Sequence, residues 1–194
     1  MKYLALATLC LLIFAGCSKH QTVEAPILIN NSQIDMTSLK TARVVAYRFA
    51  LPDHENGMPI ETGFSLITRD GKLDIATLKN LKVAQATLTP DQVHRLVDSV
   101  YGPHRETGPA ACYDPHHIFL FYDTSNKLIN VVEVCFSCIN LHAQPQIEET
   151  QWYRHDFREL ARICDEAEIG LTSRSAEEQI RIWDQEDRDF NTDK

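Results

Sequence analysis

Acidic side chains outnumber basic ones in this 194-residue chain, 27 Asp and Glu against 19 Lys and Arg, giving a net charge of −8. A surface of that sign repels phosphate backbones and anionic headgroups on average, which argues against nucleic acid as a partner. With 44% hydrophobic and 24% charged residues the chain is globular in composition, and its length suits one ordinary domain with a real core.

Lys2 is followed by an uncharged apolar run from Tyr3 to Ala15, too short to span a bilayer as a mature helix. The run closes on Phe14-Ala15-Gly16-Cys17, with small residues immediately before a cysteine. This resembles the lipobox of bacterial lipoproteins, with Phe14 where Leu is more usual. The resemblance implies a signal peptide over 1–16, cleavage before Cys17, a diacylglyceryl group on the Cys17 thiol and acylation of the new amine. The membrane is then a partner through this anchor. At about 0.8 kcal/mol per buried methylene, several acyl chains make detachment negligible. Ser18 rather than Asp follows the cysteine, which favours the outer membrane, with the domain facing the periplasm. An ordinary secretory signal or an uncleaved anchor helix is the plainer alternative. Residues 17–41 read as a lipidated N-terminus and polar tether, broken by the apolar patch Pro26-Ile27-Leu28-Ile29.

A single domain is expected over 42–171. Arg43–Phe49 is rich in strand formers, and Phe64–Thr68 reads as a second short strand closed by the turn Arg69-Asp70-Gly71-Lys72. Between them the segment from Leu51 to Thr62, with Pro52, Gly57 and Pro59, reads as a loop. Thr89-Pro90-Asp91-Gln92 is a capping box with Pro at the first helical position, and Val93, Leu96, Val97, Val100 and Tyr101 share the face behind it. Gly102-Pro103 ends that helix. His116–Asp123 and Leu128–Cys138 then form a hairpin about Thr124-Ser125-Asn126-Lys127. Their apolar residues at odd and even positions predict a central pair covered on both faces. Asp156 starts a last core helix, with Phe157, Leu160, Ala161 and Cys164 on one face. The acidic segment 172–194 is expected to be a mobile tail, although Ile180 and Trp183 could mark a short peripheral helix. The order predicts an α+β domain: a small antiparallel sheet with a central hairpin, packed by about two helices.

Six cysteines reduce to four, because Cys10 leaves with the signal peptide and Cys17 carries lipid. In an oxidising compartment Cys112, Cys135, Cys138 and Cys164 are candidates for bridging. Pairing Asp123 with Leu128 places Cys112 opposite residue 138 or 139, within about two positions. A Cys112–Cys138 bridge would contribute roughly 3.5 kcal/mol by loop closure. A metal site is the rival reading. Cys135-Phe136-Ser137-Cys138 has knuckle spacing, and Cys112 with His117 could complete a tetrahedral Cys3His set for zinc. Redox chemistry at the Cys-x-x-Cys pair is a third, disfavoured because no helix start follows it to lower a thiol pKa. Cys164 reads as a small buried hydrophobe that could reach Cys135 if its helix covers the hairpin.

Cys112-Tyr113-Asp114-Pro115-His116-His117 followed by Cys135-Phe136-Ser137-Cys138 also resembles a bacterial family pattern: Cys, aromatic, any residue, Pro, basic, His, then a hairpin ending in Cys-Phe-any-Cys. His116 stands where that pattern more often has Arg. The resemblance covers roughly Leu88–Leu141 and implies relatives without an assigned activity.

His116 and His117 must point to opposite faces of a strand, so one packs and one faces solvent. His94 and His155 are expected at the surface. Glu133, in a strand otherwise made of Val, Ile and Cys, is either an exposed carboxylate or a shifted functional one. No nucleophile elbow, phosphate-binding glycine loop or paired His-Glu metalloprotease motif is present, so a non-enzymatic binding or structural module is the expected function, without a resident cofactor.

Overall fold

The computed structural model describes residues 27–28, 41–51, 64–104, 112–144 and 155–192. Among these residues, seven strands and four helices follow in the order β1 (Ile27–Leu28), β2 (Thr41–Phe49), β3 (Lys72–Leu73), α1 (Ile75–Leu81), β4 (Lys82–Thr87), α2 (Pro90–Tyr101), β5 (His117–Asp123), β6 (Leu128–Cys135), β7 (Asn140–Gln144), α3 (Phe157–Glu166) and α4 (Ala176–Thr192). Five strands form one antiparallel sheet in the order β4-β2-β5-β6-β7, and β1 pairs separately with β3. This is the α+β class read from the sequence. The lipobox, Cys17, most of the 17–41 tether and the loop after Leu51 lie outside the described residues. So do Cys10 and the expected cleavage point.

Alternation along the strands builds two cores. Val44, Ala46, Phe119, Phe121, Val132 and Val134 bury toward α2, α3 and α4. Phe49, Ile118, Leu120 and Val131 bury toward α1, β3 and the Leu66–Ile67 segment. The central hairpin is therefore covered on both faces, as its unbroken apolar run predicts. Its register includes His117↔Val134, Ile118↔Glu133 and Leu120↔Val131.

The capping box forms as expected. Gln92 N–H donates to Thr89 Oγ1 at 3.3 Å, and Thr89 N–H donates to Gln92 Oε1 at 2.9 Å. Leu96 and Val100 are buried, with Val93, Val97 and Tyr101 packed beside them. Asp156 caps α3 by accepting from Glu159 N–H at 3.0 Å. α2 and α3 are joined by backbone as well as by apolar contact. Asp156 N–H donates to Ser99 O, and His155 Nδ1–H donates to Val100 O at 2.8 Å. His155 is thus 3% exposed rather than at the surface, because it closes a carbonyl at the α2 C-terminus. His94 is exposed.

Four other expectations are corrected. Phe64–Thr68 makes only an isolated bridge, Ile67↔Leu73, because the N–H groups of Leu66 and Ile67 go to side chains, Glu133 and Ser65. The second hairpin strand stops at Cys135, and Phe136–Ile139 turns the chain into β7, which pairs along β6 from Cys135↔Asn140 to Val131↔Gln144. Within the expected tether, Ile27 and Leu28 pair with Leu73 and Lys72. The acidic segment after residue 172 folds as α4. Ala176 and Trp183 bury in the helix-side core with Ile180 beside them, and Arg158 of α3 holds Asp184 and Asp187 at 2.7 and 2.8 Å.

Candidate functional site

The start of β5, the end of β6 and the turn into β7 gather the chemistry-bearing residues at one end of the sheet. Cys112 and Cys138 form a disulfide there, with Cα atoms 5.7 Å apart, between the chain that leads into β5 and the turn that leaves β6. The hairpin register makes this possible. Because His117 pairs with Val134, the two departing arms stay side by side past Pro115, and His116 N–H still donates to Val134 O.

Cys135 and Cys164 are free and fully buried. They do not bridge. Cys164 packs in the core between α3 and the sheet, where burial pushes its thiol pKa far up. Cys135 belongs to the opposite face, one residue on from Val134. The Cys135 sulfur accepts the Asp114 N–H at 3.4 Å and lies 3.3 Å from Ser137 Oγ, which is 3.8 Å from the Cys138 sulfur. Ile139, the residue after Cys138, has φ +48°. A β-branched residue in the left-handed region costs roughly 1–3 kcal/mol, held here by the surrounding turn.

His117 does not join the cysteines. It faces the helices, 1% exposed, and its Nε2–H donates to Gly170 O at 2.8 Å. Its cross-strand partner Arg48 donates from Nε to Ile169 O at 2.7 Å. Two adjacent carbonyls after α3 are therefore gripped by one cross-strand pair. Gly170 makes this loop possible, because it turns at φ +62° and returns its N–H to Cys164 O. Burial, reinforced by the nearby His116 and Arg48 charges, pulls the His117 pKa down to about 4 despite the Gly170 bond. The ring is neutral, and its Nδ1 is buried with no hydrogen-bond partner among the described residues. His117 also packs edge-on to Phe136, with centroids 4.9 Å apart. The four residues of the Cys3His reading are thus divided: two in a disulfide, one thiol beside it, and an imidazole on the other side of the sheet. Among the described residues no group of three or more His, Cys, Asp or Glu side chains is arranged to hold a metal ion.

Glu133 is the buried carboxylate of the site, at 0% exposure. Oε1 accepts from Leu66 N–H at 2.7 Å, and Oε2 accepts from Ser65 Oγ at 2.6 Å and Tyr113 OH at 3.0 Å. Burial raises its pKa, outweighing the lowering by these three donors. Tyr113 is pushed well above its ordinary value, first by burial and then by the Glu133 charge. His142 lies opposite Glu133 on β7 and meets Tyr113 edge to ring, and burial lowers its pKa. The carboxylate ties three separated segments into one corner: the Ser65–Leu66 stretch, the chain after Cys112, and the β6–β7 pair. The sequence singles out Glu133 and carries Tyr113 as the aromatic of the family pattern, but does not point to Ser65 or His142. The alternation of Asn140-Leu141-His142-Ala143-Gln144 was the available signal for His142.

No described helix is long and apolar enough to cross a membrane. No protein-family model, curated protein or solved structure matches the chain.

Proposed function

We propose that the chain is a lipid-anchored lipoprotein of the bacterial envelope, tethered through Cys17 and facing the periplasm from the outer membrane. In this reading its α+β domain binds a protein or small-molecule partner, or serves a structural role, rather than catalysing a reaction. The Cys112–Cys138 pair carries the reading, because a disulfide that staples both arms of the central hairpin belongs in an oxidising compartment, where the lipobox sends the chain. The Glu133 corner supports the non-catalytic part. Its two oxygens are engaged by donors of the domain itself, which is what a carboxylate that fixes structure requires. The test is cell fractionation of Cys17→Ser. The variant is expected to leave the membrane fraction, and unchanged retention would contradict the anchor.

A second reading is kept by one observation, the free Cys135 thiol beside the disulfide. Thiol chemistry at Cys112, Cys135 and Cys138 needs no rearrangement of the sheet. A zinc form using His117 as well would need the disulfide reduced and the imidazole brought to the other face. Metal analysis of protein purified from the envelope separates the two forms.

A further inference from the structure

From the placement of three sulfurs around one turn, we infer that Cys135 exchanges with the Cys112–Cys138 disulfide, giving a second native form bridged Cys135–Cys138 with a free Cys112 thiol. The inference stands apart from membrane anchoring, since it concerns only the hairpin end.

Cys135 sits between both arms of the bridge. It accepts the N–H of Asp114, two residues from Cys112, at 3.4 Å. It also lies 3.3 Å from the hydroxyl of Ser137, the neighbour of Cys138, and that hydroxyl is 3.8 Å from the Cys138 sulfur. The attacking species in such an exchange is the Cys135 thiolate. Exchange forms a bond from Cys135 Sγ to Cys138 Sγ and breaks the one from Cys138 Sγ to Cys112 Sγ. The departing electron pair stays on Cys112, which takes the proton that Cys135 gave up. The number of disulfides is unchanged, so no oxidant or reductant is consumed.

The two forms differ in what they present. Cys135 and Cys138 are 0% and 1% exposed, whereas Cys112 is only half-buried. Exchange therefore moves the free thiol from an enclosed position to a reachable one, and it unhooks the chain before β5 from the turn after β6. The released Cys112 thiol is a site for disulfide exchange with an external thiol or for alkylation. Cys164, buried on the helix side, is the internal control that should take no part.

The experiment is disulfide mapping of the full chain, exported and purified in detergent. The protein is held at pH 8, sampled over hours, trapped with N-ethylmaleimide in acidic denaturant and digested with trypsin. Cleavage after Arg105, Lys127 and Arg154 puts Cys112 in one peptide and Cys135 with Cys138 in the next. The expected result is a growing fraction of the Glu106–Lys127 peptide released from its partner with one maleimide on Cys112. That release should be lost in Cys135→Ala, and Cys112→Ser should yield the Cys135–Cys138 bridge directly. Recovery of Cys135 only as a free thiol in the wild-type chain at every time, with Cys112–Cys138 intact, would overturn the inference.

Discussion

Glu133 and His117 face opposite sides of the sheet, and both are buried titratable groups whose partners decide what they do. Glu133 answers three donors, so removing it strands the buried Leu66 N–H and takes the acceptor from Tyr113 OH, while Ser65 Oγ keeps the Ile67 carbonyl at 3.0 Å. Glu133→Ala should cost about 3 kcal/mol or more in urea unfolding, while Glu133→Gln, which keeps an acceptor in place, should cost markedly less. His117 is held neutral. Its native pKa of about 4 lies below its unfolded value of about 6.5. Between those values the unfolded chain binds the extra proton, so the stability is full above about pH 6.5 and is lost as pH falls toward 4. The expected loss is about 3 kcal/mol between pH 7 and 4, and His117→Gln should remove that part of the slope in urea titrations at the two pH values. Glu133 acts in the other sense. Its raised native pKa makes its contribution decline as pH rises through that value.

At the scale of elements, the acidic C-terminal helix separates two kinds of contact. Arg158 pairs with Asp184 and Asp187, but these side chains are partly exposed and the pairs should together be worth no more than about 1 kcal/mol. Trp183 is 5% exposed and packs on Phe136 with centroids 6.4 Å apart. Trp183→Ala should therefore cost about 3 kcal/mol, and Asp184→Asn with Asp187→Asn far less, measured by thermal or urea unfolding. The same contrast explains what was legible in the sequence. The periodicity of Leu96 and Val100 behind a capping box, and of Phe157, Leu160 and Cys164 behind Asp156, placed α2 and α3. In α4 the apolar stripe is only Ala176, Ile180 and Trp183 among many carboxylates, so composition hid it. β4 was missed because its inward positions are Ala84 and Ala86, which carry little strand signal. α1 was missed too, although Asp74 caps it by accepting from Thr77 N–H. The Cys112–Cys138 pairing was legible because one turn fixes a hairpin register. The side of the sheet taken by His117 was open to the same parity argument, applied relative to Cys135. Ser65 was not legible, and Tyr113 was visible only as the aromatic of the family pattern, since both reach Glu133 from segments without periodicity.

The whole molecule is a two-faced sheet with its cysteine chemistry concentrated at one end. Helices α2, α3 and α4 cover one face, α1 and the Leu66–Ile67 segment the other, and the disulfide closes the end where the central hairpin opens. With its cysteines 26 positions apart, the bridge should contribute about 3.5 kcal/mol, so Cys138→Ser is expected to lower the urea midpoint without changing the secondary structure seen by circular dichroism. In the proposed reading, the Cys17 anchor would hold this braced domain at the membrane surface.

The most direct measurement is intact and peptide mass spectrometry of the full chain exported to a periplasm, with thiols alkylated before and after reduction and metal determined on the same sample. The expected result is a metal-free protein in which one disulfide involves Cys138, Cys164 is always a free thiol, and Cys17 carries lipid. Stoichiometric zinc with Cys112, Cys135, Cys138 and Cys164 all reduced would contradict it.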